Sequence, residues 1–261
     1  MGTAFSYFYD YYILKNPVDL PMYVYVLVHL LFIVPLNFFA YFLVYKSKNK
    51  SPGAREKMLK GGAIAMGLVM IMRYAIYYIY VYKVQYFNTI VKFEMSEIAM
   101  YLLILAIFFI KKQWFYPLAF VVGLLSNIAV VFYPYTVFSD NPPFHMYTVS
   151  SVLFHVLNGY MALMLITARG YTPRLKHLGG VLLGNIILFA VILLANRITG
   201  ENFMALSDPS KLPIINNTRP PVNVIIIYLV FNGMSFAVFG VCELIYKRLH
   251  RTHNTEAANE K

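Results

Sequence analysis

Between Leu20 and Tyr246 the sequence passes through seven apolar stretches of 18 to 26 residues, separated by shorter runs that hold most of its charge. A hydrocarbon core about 30 Å thick takes about 20 helical residues per crossing, so seven such stretches leave little freedom for any fold but a membrane bundle. They run from Leu20 to Tyr45, Gly61 to Tyr82, Phe93 to Ile110, Trp114 to Tyr133, Tyr147 to Ala168, Leu178 to Asn196 and Val224 to Tyr246. Only Lys111, Lys112 and Gln113 separate the third from the fourth, which predicts a tight helical hairpin. The expected fold is all-α, a polytopic bundle of seven transmembrane helices. Composition agrees, because 60% hydrophobic and 13% charged residues are outside the range of a soluble domain of 261 residues.

The basic residues are unevenly shared between the connections. The first, third and fifth, with the C-terminal tail, hold fifteen Lys and Arg; the N-terminal stretch and the other connections hold six. Cytoplasmic loops carry the excess, so the N-terminus is expected outside and the C-terminus inside. Residues 1–19 then form an interfacial segment, 20–246 the transmembrane domain, and 247–261 a basic cytoplasmic tail without fixed structure. A multi-pass protein of the plasma membrane is expected, with membrane lipids as partners and a further membrane protein as a candidate partner.

The net charge of +11 needs no nucleic acid, since basic residues at one membrane face serve orientation and anionic headgroups, and no nucleic-acid-binding motif is visible. The single cysteine, Cys242, excludes an intrachain disulfide and a CxxC metal site. No metal or cofactor is expected. The last stretch contains no Lys before Lys247, against a retinal protein, and the signature triplets of G-protein-coupled receptors are missing.

Polar residues inside the stretches carry the functional signal. With the direction of each helix set by the charge bias, His29, Arg73, Glu94, Ser96, Glu97, Asn127, His155, Asn158, Asn196 and Asn232 all fall in the outer half. A charge in hydrocarbon costs about 2.5 to 3.5 kcal/mol on insertion scales, so Arg73 is expected to pair with Glu94 or Glu97, which share one helix face. Ser151, His155, Asn158 and Gly159 form a second stripe. Together these predict a polar cavity opening outward. Singly, each residue has a plainer reading: a histidine bridging helices, a serine bonded to local backbone, glutamates wet in the headgroup layer.

In chain order the polar positions resemble the YwaF-like family of integral membrane proteins, whose eukaryotic relatives include an ether-phospholipid acyltransferase. His29 in VLVHLL matches a first-helix His; VKFEMSEIAMYL stands where the family has LPLHLC, with Glu94 for the His and Ser96 for the Cys. Gly123-Leu124 through Pro134, His155, and Asn196, Gly200, Asn202, Phe203, Met204, Leu206 and Pro209 match further family positions. The resemblance implies acyl chemistry, with Ser96 as nucleophile, His155 as general base, Glu97 or Asn158 orienting the imidazole, and Arg73 or Asn196 stabilising an oxyanion. Two readings follow: an intramembrane acyltransferase or hydrolase using Ser96 and His155, or a non-catalytic binder. In either, Arg73, Glu94, Glu97, His29, Asn158, Asn196 and Asn202 line the cavity.

Overall fold

A computed structural model describes residue 27 and residues 29–76, 92–132, 146–208 and 217–259. Among these the protein is all-α, with seven main helices. A π-turn, His29–Ile33, opens α1, Val34–Ser47. Then come α2, Pro52–Ile76; α3, Met95–Ile104, which continues as a π-turn over Leu105–Ile110; and α4, Tyr116–Phe132. They are followed by α5, Met146–Arg169; α6, Leu178–Thr199; and α7, Val222–Asn259. Five of them are long and apolar enough to cross a membrane, while the two arms of the hairpin, Met95–Ile110 and Tyr116–Phe132, are shorter.

Local chemistry explains the ends. Ser51 caps α2, its Oγ accepting from the Ala54 N–H at 3.3 Å and its carbonyl from Arg55 at 3.0 Å, and Pro52 opens the helix where a missing N–H costs nothing. For this reason α2 starts nine residues before the apolar stretch that begins at Gly61, and Arg55, Lys57 and Lys60 belong to its first turns rather than to a loop. The hairpin turn is formed as expected, with Lys111 in the left-handed region at φ 44°. Gly170 and Gly200, at φ 62° and 74°, stop α5 and α6 in the conformation glycine enters without a Cβ penalty. Past Gly240 no glycine or proline interrupts α7, whose backbone carries on through residues 247–259 of the tail.

α5 occupies the centre. In its apolar window 67% of residues are buried, against 22–33% in the other four long helices. Against it pack α1, α2, α3 and α4, whereas α6 leans on α4 and α7. Eleven of the seventeen residues of α4 are buried, so the short hairpin sits largely within protein. The outer helices show the reverse: Leu183, Ile187, Val191, Leu194 and Ile198 repeat every three to four residues along the exposed face of α6, with Ile186 beside them. So large an apolar stripe is stable against acyl chains and a liability in water.

Candidate functional site

Arg73 lies 21 residues into α2, near its far end, while Ser96 and Glu97 sit in the first turn of α3. The antiparallel run of the two helices brings these ends together. Nη1 of Arg73 donates to Oε1 of Glu97 at 3.0 Å, with the side chains only 8% and 2% exposed. The guanidinium also lies 5.8 Å from the centre of the Phe154 ring on α5, whose π-face attracts the cation. The second oxygen of Glu97 accepts the Ser96 hydroxyl at 2.7 Å. Both carboxylate oxygens are therefore held by donors. That is the arrangement that makes a buried charge tolerable, and removing one partner of such a pair typically costs about 3–5 kcal/mol.

Asn158 carries the network onward from α5. Its Nδ2 donates to the Ser96 carbonyl at 3.0 Å and to Ser126 Oγ on α4 at 3.2 Å. The His155 ring, one turn earlier, places Nδ1 2.8 Å from the Ser126 carbonyl and 3.0 Å from Ser126 Oγ. Asn127 Nδ2 donates to the His155 carbonyl at 3.1 Å and to Asn37 Oδ1 at 2.8 Å, which brings in α1. Gly159 permits this approach, since a Cβ there would lie 2.7–2.9 Å from the Asn127 side chain. One connected set of hydrogen bonds thus spans α1 to α5 at a single end of the bundle.

Of the residues singled out in the sequence, Arg73, Ser96, Glu97, Asn127, His155 and Asn158 meet in this network. The pairing partner of Arg73 is Glu97. Glu94 stands at the N-cap of α3, exposed, and one of its carboxylate oxygens accepts the Met204 N–H at 3.0 Å. Asn196 and Asn202 build the segment after α6. Asn196 grips the N–H and carbonyl of Phe203 at 2.9 and 3.2 Å, and Asn202 Oδ1 takes the N–H groups of Ser207 and Asp208 at 2.9 and 3.0 Å. Buried Phe203 packs edge-on against Phe93, just before α3, so this segment borders the end of the bundle where the network lies. The His29 side chain, Pro134 and Pro209 lie outside the described residues. Asn232 is bonded elsewhere, accepting from Asn185 on α6 at 2.8 Å.

Ser96 and His155 share no hydrogen bond. The Ser96 proton points to Glu97, and the link between the two residues runs from the Ser96 carbonyl through Asn158 and then Ser126 to the imidazole. Two members of the network, Ser126 and Asn37, were not foreseen. Asn37 was open to detection as an amide inside an apolar run; a lone helical serine such as Ser126 gives almost no signal, because its hydroxyl can bond its own helix.

Lipid-facing outer helices around a polar interior define a polytopic helical membrane protein. A model of the TMEM164 family matches residues 20–245, and the chain belongs to that family. The match takes in the whole stretch on which the sequence resemblance rests. No curated protein and no solved structure matches the chain.

Proposed function

We propose that the protein is an intramembrane enzyme that moves or hydrolyses lipid acyl groups, with Ser96 as nucleophile and His155 as general base. The observation that carries this reading is the gathering of the buried Ser96 and the half-buried His155 imidazole into one hydrogen-bonded set, linked from the Ser96 carbonyl through Asn158 and Ser126 to the ring, beside the Arg73 cation. In the proposed step Ser96 Oγ attacks the carbonyl carbon of a lipid ester while its proton passes to His155. The ester C–O bond breaks, and the leaving alkoxide takes that proton. A hydroxyl of a second lipid, or water, then attacks acyl-Ser96, gives its proton to His155, and restores the Ser96 hydroxyl. Positive charge from Arg73 offsets the developing oxyanion. The step requires the Ser96 hydroxyl to turn from Glu97 toward the imidazole.

The excess of Lys and Arg at the end of the bundle joined by the connections α1–α2, α3–α4 and α5–α6, helix ends included, and in the tail supports an N-terminus outside the plasma membrane, with the network in the outer half and outer-leaflet lipids as substrates. Purified protein in lipid vesicles is expected to transfer or release acyl groups, and Ser96→Ala and His155→Gln each to lower turnover by a factor of about 10² or more. Wild-type turnover in both variants would end the assignment.

A second reading is a non-catalytic binder. It is favoured by the Ser96 hydroxyl being directed to Glu97 and by Asn158 Oδ1, a buried acceptor with no partner among the described residues. Thermal stabilisation by a lipid or polar ligand that vanishes in Asn158→Leu, without turnover, is the result that selects it.

A further inference from the structure

We infer that Ser126 is the positioning residue of this site, because it decides which nitrogen of His155 carries the proton. Two atoms of Ser126 converge on Nδ1 of the imidazole, the carbonyl oxygen at 2.8 Å and Oγ at 3.0 Å. A carbonyl oxygen can only accept, so Nδ1 is the donor, and the neutral ring keeps its lone pair on Nε2. Within α4 that carbonyl retains a second lone pair beyond the one used by the helix, which leaves it free to take a side-chain donor.

The hydroxyl completes the arrangement. Ser126 Oγ accepts from Asn158 Nδ2 at 3.2 Å, and the same nitrogen faces the Ser96 carbonyl at 3.0 Å. An amide oxygen turned toward a carbonyl would be repelled, so the Ser96 carbonyl settles the orientation of Asn158 and with it the accepting role of Ser126 Oγ. Ser126 is therefore the common acceptor for the imidazole and for the amide that leads to Ser96. No other described residue hydrogen-bonds to the His155 ring. In sites where a carboxylate orients the imidazole it brings a second negative charge. Here a peptide carbonyl and a hydroxyl do so without charge, which suits a position walled by apolar helices.

The consequence for turnover rests on the acyl-transfer reading above; the tautomer does not, and the test separates the two. Protein carrying ¹⁵N-histidine is placed in lipid nanodiscs, and the His155 signals are assigned by their loss in His155→Gln. Wild type is expected to show a single tautomer, protonated at Nδ1 and bare at Nε2. Ser126→Ala removes the hydroxyl and leaves the carbonyl, so its ring is expected to keep the Nδ1–H tautomer while the link from the ring to Asn158 is lost; Ser126→Thr restores that link. Turnover should fall by about 10- to 100-fold in Ser126→Ala and recover in Ser126→Thr, in line with the usual loss on removing an orienting partner. A wild-type ring protonated at Nε2, which needs no variant to detect, overturns the inference, as does a Ser126→Ala ring that moves its proton to Nε2 although the carbonyl remains. A wild-type Nδ1–H tautomer in protein without turnover leaves this inference standing and removes the acyl-transfer reading instead.

Discussion

Glu94 and Glu97 stand three residues apart and share a helix face in the sequence, yet the fold gives them different work. Because α3 begins at Met95, Glu97 is turned into the bundle against Arg73, while Glu94 remains at the cap and binds the backbone of Met204. The sequence made the pairing of Arg73 with one of the two glutamates legible, since a deep cation without a partner on its own helix must find one on another. The choice between them rested on a helix boundary that hydropathy does not resolve. Asn196 and Asn202, expected at the site, bond the backbone of Phe203, Ser207 and Asp208, a use typical of asparagine beside a helix end. Gly159→Ala is expected to destabilise the protein by about 1–3 kcal/mol, because the new methyl would meet the Asn127 side chain. Adding Asn127→Ala should recover part of that loss, and thermal unfolding in detergent of the single and double variants is the check.

The seven helices were legible as elements because an apolar stretch of membrane length has few alternatives, but their ends were not. α2 and α7 run past their apolar stretches in charged, helix-favouring residues to which a hydropathy reading is blind. The arms of the hairpin pack within the bundle, with eleven of the seventeen residues of α4 buried. At the turn between them Lys111 adopts φ 44°, ψ 30°, a region that a side chain enters at a cost. Lys111→Gly is expected to raise stability by up to about 1 kcal/mol, seen as a higher midpoint of thermal unfolding. An unchanged or lower midpoint would mean that the lysine side chain contributes more than its backbone strain takes away.

At the scale of the molecule the polar and apolar residues are sorted inside to outside. Apolar side chains of α1, α6 and α7 face outward, and α5, the most buried helix, gathers polar groups from four neighbours at one end of the bundle. A sequence reading could place those groups at a common depth, because depth follows from residue count along a helix. It could not say which of them touch, since that depends on rotation and tilt set by packing. The other end of the bundle has its own ties. Arg169 donates to Glu56 at 2.8 Å, and Arg174 engages both oxygens of Glu243 at 2.7 and 3.1 Å. These lie in the basic half and have no connection to Ser96 or His155.

That polar side chains of separate helices meet in one buried network is tested most directly by a double-mutant cycle across its ion pair, using Arg73→Met, Glu97→Leu and the two combined. Stability is followed by unfolding in a fixed detergent. Each single change should cost about 3–5 kcal/mol, because it leaves an opposite charge stranded in the interior, and the double variant should cost clearly less than either. Losses that simply add, or single changes within about 0.5 kcal/mol of wild type, would contradict the buried pair and the network built upon it.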